Sequence, residues 1–287
     1  MKQLSFLLLL LPGILVAQNF TTQPAKPKAG EMVRVEIDLT KSKLRGISDL
    51  EMVVMEYAGG KVEMVNPAVQ MEGEKITGVF PLKSDAKSAV VGVRASDDRW
   101  DNNGGEGYFV TLFNADGVVD PGRLVAAAIL YRDYGGLMEL NRTPSVSMGL
   151  LTQAFTAKPE LKRKHFGPYI NSLMALKKGP EAKEEALLLL ADVEADAKAT
   201  EDEWLTAARF YDRNNEPDRS KVLKDKIRAT YPKGTLVKQE KRRAIQNEPD
   251  LMKAEALLSN FEKDFPAQNE DEKQAINNLW SNLANKT

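Results

Sequence analysis

The sequence predicts a two-domain β + α protein, in which an N-terminal β-sandwich precedes an all-α domain of helical repeats. Short segments between residues 31 and 115 alternate apolar and polar side chains, which is the period of a half-buried strand. From residue 116 onward, the apolar residues recur at helical spacing instead. With 287 residues, of which 43% are hydrophobic, the chain is long enough to bury a core in each of two domains.

The first residues of the chain predict export. Lys2 precedes an apolar run of about a dozen residues that ends at Ala17, a pattern typical of a secretory signal peptide. The run is too short to span a bilayer and contains Pro12, so we predict cleavage after Ala17 rather than a membrane anchor. Residues 18–30 are polar and proline-containing, which predicts an extended leader. The expected location is therefore periplasmic or extracellular.

The strand pattern predicts an immunoglobulin-like sandwich over residues 31–115. In the first segment Val33, Val35 and Ile37 lie on one side of the predicted strand. Dipeptides suited to turns, such as Asn66-Pro67, separate the segments. The predicted strands cover residues 31–40, 49–58, 61–65, 69–72, 75–82, 88–95 and 108–114. So many short strands within about a hundred residues are typical of this sandwich, although cysteine for its usual disulfide is absent.

Residues 116–287 are predicted to be helical, with short loops that favour antiparallel neighbours. Several prolines stand just inside a predicted start, where the missing amide hydrogen costs nothing. The predicted helices cover residues 121–134, 145–157, 159–177, 180–197, 201–213, 217–231, 235–246, 249–265 and 269–285. The change of pattern predicts a domain boundary between Asn114 and Pro121.

Two internal repetitions indicate helical repeats in the second half of the chain. Tyr231-Pro232 and Phe265-Pro266 are 34 residues apart, and Asn-Glu-Pro-Asp occurs at both 215–218 and 247–250. A period of this length marks repeats of tetratricopeptide size. In a unit starting at Glu201, the residues at the positions of that family's pattern are Trp204, Ala208, Tyr211, Ser220 and Pro232. In the next unit, from Thr235, Ala254 and Pro266 match. We predict that Trp204 and Tyr211 pack against Val222, Leu223 and Ile227.

Composition excludes several kinds of function. The chain has 40 basic and 41 acidic residues, and loss of Lys2 with the signal peptide leaves a net charge of about −2, so we expect no nucleic-acid partner. The basic stretches 162–164 and 241–243 are predicted to be solvated helix faces. The sequence contains no cysteine, which excludes disulfides, a thiolate nucleophile and sulfur ligands for a metal.

Among the clusters of polar residues in the predicted sandwich, the loop 97–107 is the main candidate for a functional site. Asp97, Asp98, Asp101 and Glu106 stand among glycines, and oxygen ligands on a pliable loop suit calcium. However, Arg99 occupies the first ligand position of the helix-loop-helix calcium motif. The alternative interpretation, which we favour, is a structural hairpin loop in which Asn and Gly provide turns.

Other candidates for catalysis are weak. His165 is the only histidine and lies among basic residues, so a surface or packing role is predicted. The acid pairs Glu184-Glu185 and Asp271-Glu272 occupy adjacent helical positions and point apart. We therefore predict no catalytic, cofactor-binding or metal-binding residues.

The order of these parts resembles a known family. Residues 27–31 (Pro-Lys-Ala-Gly-Glu), the stretch from Asp101 to Tyr108, and the repeat-like helices together resemble the N-terminal region of exported bacterial TlpA-like thioredoxin-family disulfide reductases. The resemblance covers most of residues 20–285. In that family a thioredoxin domain with a Cys-x-x-Cys pair follows, and no such pair is present here. The resemblance implies a non-catalytic module, either the front part of such a protein or a stand-alone relative.

Taken together, the sequence predicts an exported scaffold that binds a protein or peptide in the cell envelope, and a thioredoxin-like domain is one candidate partner. Two alternatives remain open. One is a surface protein that binds calcium or carbohydrate through the sandwich. The other is a hydrolase that uses the carboxylates of residues 97–106.

Overall fold

A computed structural model of the chain describes residues 19–177 and 179–285. The predicted signal peptide and its cleavage point lie outside these residues. The described chain forms two compact units, one ending at Ala182 and the other starting at Lys183. Strands occupy the first part and helices the rest, so the predicted β-then-α order is confirmed.

The first unit contains two antiparallel sheets. The strands are β1 (Phe20–Gln23), β2 (Met32–Asp38), β3 (Leu50–Ala58), β4 (Lys61–Val65), β5 (Val69–Glu72), β6 (Lys75–Pro81), β7 (Ala86–Ala95), β8 (Trp100–Asp101) and β9 (Tyr108–Val110). One sheet has the order β1-β2-β6-β5, and the other has the order β4-β3-β7, with β8 and β9 both paired to β7.

The sandwich core lies between the two sheets. Val33, Val35 and Ile37 of β2 are completely buried, as their alternation predicts, and they lie beside Ile76 and Phe80 of β6. The facing sheet adds the buried side chains of Met52, Val54, Val91 and Val93. Removal of this apolar surface from water, at about 25 cal/mol per Å², is the main stabilisation of the sandwich.

Helices cover the outer face of the second sheet. The helical elements of the first unit are α1 (Pro121–Ile129), a π-helical turn (Leu130–Tyr134), a 3-10 turn (Gly135–Met138), α2 (Pro144–Ala157), α3 (Glu160–Lys164) and α4 (Phe166–Leu176). Leu130, Tyr131 and Met138 pack on Val53, Met55 and Val90, which point away from the sandwich core. β3 and β7 are thus buried on both faces, which explains their nearly continuous apolar sequences.

Because of this packing, the first compact unit extends beyond the domain boundary predicted at residues 114–121. The change from strand to helix does occur there, between Val110 and Pro121. The compact units, however, divide between Ala182 and Lys183. The physical reason is that the second sheet needs a cover for its outer apolar face, and the residues after Pro121 provide it.

Two local expectations were wrong. The leader contains β1, whose residue Thr22 pairs with Val35 of β2, so the sandwich begins before residue 31. The helix predicted for 159–177 is broken at His165, whose φ of −122° and ψ of 32° are not helical. Pro168 accounts for the break, because a proline is tolerated in the first turn of a helix but not in its interior.

The second unit consists of helices. They are α5 (Pro180–Ala195), α6 (Glu201–Arg213), α7 (Pro217–Thr230), α8 (Thr235–Asn247), α9 (Leu251–Asp264) and α10 (Glu270–Ala284). α6 pairs with α7 and α8 with α9, and the equivalent helices of the two pairs start 34 residues apart. In the described residues of both units, no helix is long and apolar enough to cross a membrane.

Candidate binding surface

The helices α6, α8 and α10 form a layer whose register follows the 34-residue period. The carboxylate of Glu201 accepts hydrogen bonds from the backbone N–H groups of Thr235 and Leu236, both at 2.8 Å. Lys238 and Glu272 form an ion pair at 2.6 Å. The contacts between Glu201 and Thr235 and between Lys238 and Glu272 each join residues 34 apart. Since the intervening helices run back, the three helices are parallel and lie side by side at matching heights.

Trp204 anchors α6 to its neighbours. Its side chain is only 2% exposed, and its indole N–H donates to the carbonyl of Val193 at 3.1 Å. The ring of Tyr231 lies edge-on at a centroid distance of 5.9 Å, and the Lys226 ammonium lies 4.0 Å from the indole centroid. The predicted contact face is therefore present, except that Val222 is 70% exposed and points away from it.

Tyr211 holds the same helix to the end of α5. Its hydroxyl donates to the Glu194 carboxylate, and the Arg219 guanidinium lies 4.2 Å from its ring centroid. Burial and the neighbouring Glu194 carboxylate raise the pKa of the Tyr211 hydroxyl, which keeps it protonated as a donor. The aromatic residues of the repeat pattern therefore hold the helices together, as their core role predicts.

The two arginines of α7 are neutralised by carboxylates. Arg219 of α7 pairs with Glu194 at 3.4 Å and with Glu216 at 3.3 Å. Arg228 of α7 donates two parallel hydrogen bonds to Glu240, at 3.0 and 2.7 Å. This bidentate contact holds the pKa of the Glu240 carboxyl below its usual value.

Three arginines on the first helices of the pairs, α6 and α8, lack such a carboxylate partner among the described residues. Arg209 and Arg213 of α6 and Arg243 of α8 are exposed, and none forms an ion pair with a carboxylate in residues 19–177 or 179–285. Glu240 lies one turn before Arg243, but its carboxylate is held by Arg228. The layer of α6 and α8 thus presents guanidinium groups whose donors are free to bind a ligand.

Two shallow cavities lie elsewhere in the second unit. One, of about 240 Å³, is lined by residues of α8, α9 and α10, among them Lys238, Phe261 and Glu272. The other, of about 430 Å³, lies between the end of α5 and α7 and is lined by Glu194, Arg219 and Val222, among others. Lys238, Glu272, Glu194 and Arg219 already form ion pairs, so the cavity walls have few charges left for a ligand.

Side-chain hydrogen bonds hold the loop 97–107 of the first unit in place. The buried Asn102 donates to the carbonyls of Met138 and Glu139, at 2.9 and 3.0 Å, and its Oδ1 accepts the N–H of Gly105 at 2.9 Å. Asn141 donates to the carbonyl of Gly104 at 3.0 Å. These bonds fasten the loop to the 3-10 turn and the residues after it, which favours the structural interpretation.

Three of the four loop carboxylates, those of Asp97, Asp98 and Asp101, have protein partners. Asp97 pairs with Arg99 at 2.8 Å. Asp101 accepts a hydrogen bond from the hydroxyl of Tyr108 at 2.8 Å, and Tyr108 in turn accepts one from Asn19 at 2.9 Å. In the described part of the chain, no three His, Asp or Glu side chains lie together in an arrangement able to hold a metal ion.

The remaining sequence candidates are not brought together. His165 lies at the break between α3 and α4, where burial and Lys164 lower the pKa of its imidazole. Glu184 and Glu185 lie on α5. Glu272 of α10 accepts a hydrogen bond from Lys238, and this bond lowers the pKa of the Glu272 carboxyl. The structure therefore places the histidine and the two acid pairs on different elements.

No protein-family model, curated protein or solved structure matches this chain, so its function has to be argued from the surface itself. Sequence reasoning treated Arg243 only as part of the basic stretch 241–243, a predicted solvated helix face, and it missed Arg209 and Arg213. A signal was available, because Arg209 and Arg243 are separated by the same 34 residues as Tyr231 and Phe265. Which arginines are neutralised, however, depends on contacts between helices.

Proposed function

We propose that this chain is an exported, non-catalytic binding module, which holds a protein or peptide of the cell envelope on the layer formed by α6, α8 and α10. The observation that carries the proposal is the register of that layer. Stacked repeats build one continuous surface in which equivalent positions line up, and such surfaces bind extended partners.

The strand order supports an immunoglobulin-like assignment for the sandwich. If β1, β2, β5 and β6 are called A, B, D and E, the first sheet has the order A-B-E-D. The second sheet then has the order C′-C-F, with the G position next to β7 taken by β8 and β9. This is the arrangement of immunoglobulin-type sandwiches. The helical cover on the second sheet is an addition to that plan.

The helix pairs support a tetratricopeptide-like assignment for the second unit. Trp204, Ala208 and Tyr211 are buried on α6, and Ser220 is buried on α7. Ala254 is buried at the position of α9 that is equivalent to Ser220, where a small residue lets two helices approach closely. Pro232 and Pro266 each follow the end of a second helix.

The order of sandwich and repeats also underlies our proposal of a relationship to the front region of TlpA-like disulfide reductases. In that setting the module would position a partner rather than transform it, and a thioredoxin-like domain is one candidate. In the loop 97–107, Asp97 is engaged by Arg99, Asp98 by Arg94 and Asp101 by Tyr108. Neither the calcium nor the hydrolase alternative gains a specific observation from this loop.

Site-specific photocrosslinking tests the proposed surface. A photoreactive residue replaces Gln239, exposed on α8, or Ala256, exposed on α9, as the matched control. A display library of peptides is first selected for binding to the unmodified chain. Selected peptides are expected to label the Gln239 derivative and not the Ala256 derivative. Equal labelling at both positions, or no selected peptides, would contradict the proposal.

Export is tested separately, by the cell fraction in which the expressed chain is found and by its first residue. Expressed with its own leader in a bacterium, the chain is expected in the envelope fraction with Gln18 as its first residue, because cleavage after Ala17 is predicted. Intact mass spectrometry of the fractionated protein reads the start directly. A chain that keeps residues 1–17 and stays in the cytoplasm would rule out this part of the proposal.

A further inference from the structure

The exposed face of α6 and α8 carries a short arginine strip. Arg209 and Arg213 are four residues apart, so their side chains lie on one face of α6, about one turn from each other. Arg243 occupies the position of α8 that is equivalent to Arg209. Because Glu201 contacts Thr235 at the start of both helices, Arg209 and Arg243 lie at the same height, eight residues further along.

The strip contrasts with the two arginines of α7. Arg219 and Arg228 of α7 are paired with carboxylates of neighbouring helices. Arg209, Arg213 and Arg243 keep all their donors, and among described residues no carboxylate pairs with them. A guanidinium presents donors in a planar fork that matches a carboxylate, and adjacent cations repel each other until an anion binds between them.

We propose that the strip binds an acidic peptide segment in a polyproline II conformation, with carboxylates three residues apart. Helices packed side by side have axes about 8–10 Å apart. In a polyproline II conformation the chain has three residues per turn and rises about 3.1 Å per residue, so side chains at positions i and i+3 project from one face at a similar distance, about 9 Å. One carboxylate thus reaches Arg209 or Arg213 and the other reaches Arg243. The proposal rests on the proposed function and specifies its partner.

The surroundings of the strip favour a peptide over a larger polyanion. Asp202 lies two turns before Arg209 on α6, and Asp212 of α6 pairs with Lys224 at 2.7 Å. Glu240 lies one turn before Arg243. These carboxylates border a strip only a few side chains long, so the strip lacks the continuous row of cations that a nucleic acid backbone or a uniformly charged surface needs. The whole chain, with a formal net charge of −1, offers no general attraction to such polyanions.

Fluorescence anisotropy with a labelled peptide tests the inference on the full chain. The probe is a proline-rich peptide whose only charges are the two carboxylates of a central Glu-Xaa-Xaa-Glu, and its matched control carries Gln at both positions. At low ionic strength the chain is expected to bind the acidic probe at least tenfold more tightly, and added salt should weaken this preference. The double variant Arg209→Gln/Arg243→Gln should bind both peptides equally weakly.

The control is Lys221→Gln/Lys263→Gln, which removes the same charge from exposed positions on α7 and α9. It should keep the preference of the unmodified chain. Equal binding of the two peptides, or the same loss in both double variants, would overturn the inference. So would tighter binding to phosphatidylglycerol vesicles than to the acidic probe.

The two proposals fail in different ways. If library peptides label the Gln239 derivative but show no requirement for acidic residues, the surface binds peptides and only the arginine inference is wrong. If no peptide labels that derivative, the proposed function itself fails.

Discussion

Replacement of Trp204 with alanine is expected to lower the free energy of unfolding of the helical unit by about 3–5 kcal/mol, the usual cost of deleting a buried aromatic side chain. The indole is 2% exposed, and its removal also leaves the Val193 carbonyl without its 3.1 Å donor. The packing of Tyr231 against the ring and the contact with Lys226 are lost as well.

Urea unfolding followed by circular dichroism at 222 nm measures this effect. The variant should lose helical signal at lower urea concentration in a cooperative step, because each helix pair depends on its neighbour. Val222→Ala is the matched control, since this side chain is 70% exposed and should change stability by less than about 0.5 kcal/mol. An unchanged midpoint for Trp204→Ala would show that the indole is not part of the core.

Much of the architecture can be read from the sequence where a single periodicity dominates. Val33, Val35 and Ile37 alternate, and all three are fully buried in β2. Pro217 stands at the start of a helix in both the prediction and the structure, because the missing amide hydrogen suits a first turn. In these elements the local signal and the tertiary environment agree.

The sequence was less informative where contacts between elements determine the local structure. β1 has four residues and a weak alternation, and it exists as a strand because β2 offers a free edge for pairing. The helical cover of the second sheet could have been inferred from the run Met52 to Met55, which is apolar on both faces. The pairing of Arg228 with Glu240 and the exposure of Arg243 depend on how helices pack, and no local pattern encodes that.

Asn102→Ala is expected to destabilise the first unit by about 2–4 kcal/mol, because it removes three hydrogen bonds at a buried position and strands their partners. The side chain is 8% exposed and joins the loop to the carbonyls of Met138 and Glu139. Thermal unfolding, with and without calcium, measures the effect.

The control for Asn102→Ala is Asp97→Ala, since Asp97 is exposed and its only described ion pair is with the exposed Arg99. Such a surface pair contributes about 0–1 kcal/mol, so Asp97→Ala should unfold close to the unmodified chain. Calcium should leave both melting temperatures unchanged, because Asp101 is engaged by Tyr108 and Asn102 by backbone groups. If calcium raises the melting temperature of the unmodified chain and Asp97→Ala abolishes that rise, the loop is a calcium site and its interpretation as a purely structural loop is wrong.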